Sequence, residues 1–201
     1  MTNTDGVIGL SFNFNSNFSY YVLNFSDNKT PNKYTLWNTT KNKKIRDLET
    51  NEEYTQKYVA NIPLKEFFTI ENDGYMLNGY MIKPTDFDPQ KKYPVIMSQY
   101  SGPGSQQVLN KWTLDWENYY VTQGYIIACV DGRGTGGRGK KFESIVYMNL
   151  GKYETLDKEQ VEKIIKGESL NSIKVSLNSN YNELLIQEYN HQIEQKEIVI
   201  D

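Results

Sequence analysis

Two glycine-rich loops hold the residues of this chain whose types and spacing could support chemistry. The first is Tyr100-Ser-Gly-Pro-Gly-Ser-Gln106, and the second is Asp131-Gly-Arg-Gly-Thr-Gly-Gly-Arg-Gly139. Each loop follows a short apolar segment typical of a β-strand. Functional loops of open α/β sheets lie at the carboxyl ends of strands. We therefore expect the functional residues of the chain in these two loops.

The second loop contains the spacing Gly132-x-Gly134-x-x-Gly137, which matches a dinucleotide-binding fingerprint. In that motif the glycines let a helix N-terminus approach a pyrophosphate. Glu154 and Asp157 lie near the position of the acid that would bind the ribose. However, the match follows the second strand unit rather than the first, and Asp131 precedes it. Dinucleotide binding therefore remains an alternative, and we expect neither a cofactor nor a metal.

Groups for nucleophilic catalysis are missing from the 201 residues. No Gly-x-Ser-x-Gly motif, which would present a nucleophilic serine, occurs in the sequence. The single histidine, His191, lies in a polar segment and is expected to be a solvated surface residue. The single cysteine, Cys129, lies in the apolar run Tyr125–Val130, so we expect an inert core thiol.

The composition excludes several classes of partner. The net charge is −3, apolar residues make up 38% and charged residues 23%, so the chain can form one domain or parts of two. Nothing in this charge balance argues for nucleic acid or for an anionic membrane surface. No apolar run approaches the ~20 residues of a membrane helix. No signal peptide pattern is found at the N-terminus, so the localisation stays open.

The elements that would position the loops follow from hydrophobic periodicity and turn residues. The pattern predicts a three-stranded meander over residues 20–48, a short helix over 51–58 and a hairpin over 65–83 turning at Asp73-Gly74. A strand at 93–97, a helix at 107–123 ended by Gly124 and a strand at 125–130 then indicate a parallel α/β sheet. A capping box predicts a further helix starting at Asp157, with Val161, Ile164 and Ile165 on one face.

Three segments together resemble the start of the catalytic domain of the dipeptidyl peptidase IV branch of the prolyl oligopeptidase (S9) family. They are Tyr93–Gln106, Gly124–Gly139 and Leu150–Thr155. The meander Tyr20–Leu48 resembles the last blade of that family's β-propeller. The resemblance covers roughly residues 7–157, so we expect it to end close to residue 157.

The resemblance implies an α/β plus β fold, the last blade of a β-propeller followed by the N-terminal part of an α/β-hydrolase domain. The implied parts are residues 1–64 as the blade-like meander, 65–157 as the start of the peptidase domain and 158–201 as a divergent polar helical tail. Within the tail, residues 168–201 are expected to be weakly attached. The family removes N-terminal X-Pro or X-Ala dipeptides from peptides with a Ser-His-Asp triad.

Tyr100 is the catalytic residue that the resemblance implies, as a donor to the oxyanion hole. The nucleophile, base and acid have no counterpart in the chain, which is therefore expected to be inactive by itself. A non-catalytic binding fragment remains a second alternative. We also expect a core closed on one side only at Ile96, Ile126, Ile127 and Val130, and hence marginal stability or self-association.

Overall fold

The computed structural model describes residues 11–165, which form two compact units. The first unit comprises the described residues up to Leu64 together with Leu109–Asp115, and the second comprises Lys65–Val108 and the residues from Trp116 onward. The expectations for His191 and for residues 168–201 fall outside the described residues. The division of the whole chain into three parts, and its self-association, stay predictions.

The first unit contains a four-stranded antiparallel sheet in the order β1-β2-β3-β4. These strands are Ser11–Phe14, Tyr20–Asp27, Thr30–Asn38 and Lys43–Glu49, and helix α1 follows at Glu52–Tyr58. The three strands of the meander and the short helix are thus confirmed. Strand β1 is not among the three predicted strands of the meander, because four residues give too short an alternation to define a strand.

Aromatic side chains join the central strands of this sheet. Tyr21 and Trp37 lie directly opposite each other in the register of β2 and β3, and their rings stack with centroids 6.1 Å apart. Such cross-strand aromatic pairs stabilise a sheet beyond the area that they bury. Strand β4 is exposed along its whole length and carries charges of both signs, which protects an edge strand from pairing with other chains.

The second unit contains a mixed sheet in the order β5-β6-β8-β7. Strands β5 (Glu66–Asn72) and β6 (Tyr75–Ile82) form the predicted hairpin. Its turn residues Asp73 and Gly74 have φ values of 52° and 76°, as a two-residue hairpin turn of the type I′ kind requires. Strand β8 (Ile126–Asp131) pairs antiparallel with β6 and parallel with β7 (Val95–Met97), which confirms the predicted parallel pair.

Both faces of this sheet are covered, so the expectation of a core closed on one side only is wrong. Successive side chains of β8 point to opposite faces. Ile126, Ala128 and Val130 pack in one cluster, and Ile127 and Cys129 pack in another. Helices pack against both faces of the sheet. Ile126, Ile127 and Val130, which were expected to be covered on one side only, are therefore buried, and Ile96 is partly buried.

Helix α2 (Trp116–Thr122) covers one face through Val121, and helix α4 (Lys152–Ile165) covers the other through Val161, Ile164 and Ile165. Between them, a single helical turn, α3 (Lys140–Glu143), adds Phe142 to the α4 side, and a 3₁₀ turn follows at Ser144–Val146. The thiol of Cys129 lies within the α2-side cluster. Burial, reinforced by the negative charge of Asp131, raises its pKa to about 12, which confirms an inert thiol.

Two helix boundaries differ from the prediction. Helix α2 does not extend back to residue 107, because residues 107–115 are irregular, and the amides of Gln107 and Val108 donate to the carboxylate of Asp131. Helix α4 begins at Lys152, so the capping box at Asp157 is wrong. Asp157 is buried within the helix, and its carboxylate binds Arg133. The predicted helix end at Gly124 is confirmed, with φ at 87°.

Candidate functional site

The two loops singled out by the sequence leave the sheet at the same edge. Strands β7 and β8 are parallel neighbours, so the segments after their carboxyl ends start side by side. We call residues 98–108 the Tyr100 loop and residues 131–139 the glycine loop. This placement at the carboxyl ends of parallel strands is where α/β sheets carry their functional groups.

Backbone hydrogen bonds join the two loops directly. The amide of Gly136 donates to the carbonyl of Ser105 at 2.7 Å, and the amide of Gly104 donates to the carbonyl of Gly134 at 3.1 Å. At the base of the loops, the buried carboxylate of Asp131 accepts the amides of residues 107 and 108 at 3.0 and 2.9 Å. Burial raises the pKa of Asp131, while these amide bonds favour its ionised form and oppose that shift. The Tyr100 loop is therefore held by the glycine loop at several points.

The glycines of the dinucleotide-like spacing are needed for contacts within the protein. A Cβ atom on Gly132 would lie 3.1 Å from a carboxylate oxygen of Asp157, and one on Gly134 would lie 2.6 Å from a methyl carbon of Val146. The loop is followed by the four-residue helix α3 rather than by a long helix. This geometry gives the dinucleotide alternative no support, since the protein's own side chains lie against Gly132 and Gly134.

Tyr100 stands at the rim of this arrangement. It lies three residues beyond the end of β7, which confirms its predicted place at the carboxyl end of a strand, and its side chain is 66% exposed. The hydroxyl of Ser105 lies 2.8 Å from the carbonyl oxygen of Tyr100 and 2.7 Å from that of Gly102, so it can donate to either and close a tight turn. The phenol is thus presented to solvent from a backbone that is fixed by the loop contacts.

Arg133 and Asp157 form a buried ion pair that the sequence analysis did not recognise. The side chains are 2% and 1% exposed, and Nη2 of Arg133 lies 2.7 Å from Oδ1 of Asp157. A signal was present, because Asp157 lies on the same helical face as the apolar residues Val161 and Ile165. A charged residue on an apolar face is almost never buried without a partner.

The prediction that tests the packing of the glycine loop compares two alanine substitutions. Gly134→Ala places a Cβ atom against Val146 at a φ of 96°, whereas Gly124→Ala, at a φ of 87°, meets nothing within 4 Å. Both variants carry the strain of a side chain at positive φ, but only the first is overpacked, which typically destabilises by about 1–3 kcal/mol. We expect Gly134→Ala to unfold at the lower urea concentration. Equal urea midpoints for the two variants would show that the Val146 side chain moves aside without cost, and would contradict this prediction.

None of the helices between residues 11 and 165 is both long and apolar enough to cross a membrane. Within the same range, no three or more His, Cys, Asp or Glu side chains are grouped as metal ligands would be.

Comparison with known proteins agrees with this geometry. A sequence model described as the prolyl oligopeptidase family matches residues 112–171. A "Probable dipeptidyl-aminopeptidase B" of Phaeosphaeria nodorum is 44% identical over 60% of this chain and 13% of its own length. Another, of Sclerotinia sclerotiorum, is 34% identical over 81% of this chain and 18% of its own length. The crystal structure of Porphyromonas gingivalis dipeptidyl peptidase 4 is 41% identical, with a TM-score of 0.68 over 74% of this chain and 21% of that one.

The chain belongs to the prolyl oligopeptidase family. Within that family it lies in the dipeptidyl peptidase IV branch, which the relatives named above share. The chain spans less than a quarter of the length of each of these relatives. The family match runs to residue 171, and helix α4 continues to Ile165, so the expected end of the resemblance near residue 157 is wrong.

Proposed function

We propose that this chain is the part of a dipeptidyl peptidase IV-type serine exopeptidase in which Tyr100 donates a hydrogen bond to the oxyanion of the reaction. One observation carries this proposal: the exposed phenol of Tyr100 projects from a turn that backbone bonds hold against the glycine loop. A donor that is already fixed before reaction stabilises a developing negative charge without reorganising. The peptide substrate, cleaved to release an N-terminal dipeptide, follows from the names of the relatives.

The two units have separate roles in this proposal. The first unit, with its four antiparallel strands in sequential order, has the form of one blade of a β-propeller. The second unit, with a hairpin joined to a parallel strand pair and helices on both faces, has the form of the first part of an α/β-hydrolase domain. On this proposal the second unit carries the chemistry, and the first is part of the propeller.

The sequence of the chain supplies only part of the catalytic machinery. A serine peptidase needs a nucleophile and a base within hydrogen-bond reach of each other, and losing either one lowers the rate by about 10⁶-fold. Without the Gly-x-Ser-x-Gly motif, the 201-residue chain assayed alone should release no p-nitroaniline from Gly-Pro-p-nitroanilide above a blank. Turnover that persists through further purification would contradict the inference that these 201 residues lack a working nucleophile and base.

A graft tests the proposed function positively. Residues 65–165 replace the matching segment of Porphyromonas gingivalis dipeptidyl peptidase 4, and the same chromogenic substrate is used. Because the chain is 41% identical to that enzyme where the two match, we expect the graft to fold and to retain turnover. A folded graft without turnover, measured beside the unaltered host, would show that this segment cannot perform the peptidase role.

A further inference from the structure

Arg133 is surrounded by partners on every side. Its guanidinium contacts Asp157 at 2.7 Å and Asp73 at 2.9 Å. Its central carbon lies 4.8 Å from the ring centroid of Tyr153 and 5.5 Å from that of Tyr75. Both aromatic rings therefore lie within cation–π distance of the guanidinium. The side chain of Arg133 is 2% exposed, so these partners enclose the cation.

Asp157 joins three segments of the second unit. Its carboxylate accepts the backbone amide of Arg133 at 2.7 Å and the side-chain Nε of the same residue at 3.0 Å. It also accepts the side-chain amide of Asn72, in the β5–β6 hairpin, at 2.7 Å. Helix α4, the hairpin and the glycine loop are therefore held together by one carboxylate.

Arg133 remains a cation despite its burial. Burial lowers the pKa of Arg133, but the hydrogen bonds and charges of Asp157 and Asp73 outweigh that effect, and the net shift is upward. A guanidinium in this position is a permanent cation that requires its partners. Its planar, forked donors also fix the direction of the side chain, which a single-point cation would not do.

A continuous path of short contacts leads from this pair to Tyr100. Arg133 is directly followed by Gly134, whose carbonyl accepts the amide of Gly104. Two residues further on, the amide of Gly136 donates to the carbonyl of Ser105. The hydroxyl of Ser105 lies within hydrogen-bond distance of the carbonyl oxygen of Tyr100. No exposed or loosely packed residue interrupts this path within the glycine loop up to Gly136, because residues 131–136 are all buried.

We propose that Arg133 is a positioning residue for Tyr100. Its ion pair with Asp157 fixes the glycine loop, and the glycine loop fixes the backbone from which the phenol projects. The effect of this on peptide hydrolysis rests on the function proposed above for Tyr100. The positioning of Tyr100 by Arg133 does not depend on that proposed function, and it can be measured in the chain without a substrate.

The test compares Arg133→Met with a matched control, Lys83→Met. Lys83 is also a nearly buried cation of the second unit, 10% exposed, paired with Glu66 at 3.1 Å and placed 4.8 Å from the ring centroid of Phe87. None of these contacts involves either loop. Both variants lose a cation that is buried or nearly buried, together with its ion pair and its cation–π contact, so both are expected to be destabilised. Only Arg133→Met removes the support of the glycine loop.

Amide hydrogen exchange, measured by mass spectrometry on peptides covering residues 98–108 and the strands β6 and β8, gives the readout. We expect Arg133→Met to accelerate exchange in residues 98–108 by about tenfold or more relative to Lys83→Met, beyond any acceleration that the strands show. Equal exchange of residues 98–108 in the two variants, after correction for the strands, would overturn the proposal.

A second variant keeps the proposal testable if Arg133→Met does not fold. Arg133→Lys retains the positive charge but loses the planar fork that reaches both acids. We expect exchange in residues 98–108 to accelerate while the strands remain protected. Wild-type exchange in this loop with Arg133→Lys would overturn the proposal. Because no substrate is present, these outcomes are independent of whether Tyr100 acts in hydrolysis.

Discussion

Replacing Asp157 by alanine is expected to lower the free energy of unfolding of the second unit by about 3–5 kcal/mol, since it leaves a buried cation without its main partner. Among the acidic partners described for Arg133, Asp73 would remain, and its side chain is 75% exposed and therefore well solvated. The total stability of a domain is typically about 5–15 kcal/mol. The expected loss is a large fraction of that total, so the urea midpoint of unfolding, measured by circular dichroism, should fall substantially.

The matched control removes an exposed ion pair of the same unit. Lys91 lies 3.8 Å from Asp88, with the two side chains 65% and 40% exposed. Exposed pairs contribute about 0–1 kcal/mol, so Lys91→Ala should barely move the midpoint. If Asp157→Ala and Lys91→Ala unfold at the same urea concentration, the Arg133–Asp157 pair does not hold the unit together as described.

Local patterns predicted the hairpin, the meander and the parallel strand pair. Each depends on residues close in sequence, such as the turn Asp73-Gly74 or the apolar run 125–130. The prediction was wrong where a distant residue decides the structure. Apolar residues have helical spacing over residues 107–123, yet residues 107–115 are irregular. The amides of residues 107 and 108 bind the carboxylate of Asp131, which is distant in sequence. Tertiary contacts of this kind override local propensity.

The positions of the two loops could be predicted from the sequence, but the contacts that join them could not. The two loops and the place of Tyr100 follow from strands and glycines that lie next to each other in the sequence. The bonds between Gly136 and Ser105, and between Arg133 and Asp157, join residues far apart in sequence. Local patterns in a single sequence do not reveal contacts between residues that are far apart along the chain. The second covered face of the sheet was also missed, since helix α4 was expected to start at Asp157 and to belong to a tail.

Tyr100→Phe in the grafted enzyme tests the central claim most directly. The substitution removes only the phenolic hydroxyl of a side chain that is 66% exposed, so the stability of the graft should not change. Loss of one oxyanion donor typically lowers kcat by about 10²–10³-fold, and KM should change little because the donor acts mainly in the transition state. Tyr119→Phe, at a similarly exposed tyrosine of helix α2, is the matched control.

The decisive measurement is kcat for Gly-Pro-p-nitroanilide in the graft and in these two variants of it. If Tyr100 donates to the oxyanion, kcat falls by about two to three orders of magnitude in Tyr100→Phe and stays unchanged in Tyr119→Phe, with similar KM values throughout. If the graft is active and the two variants have the same kcat, Tyr100 does not perform the role assigned to it.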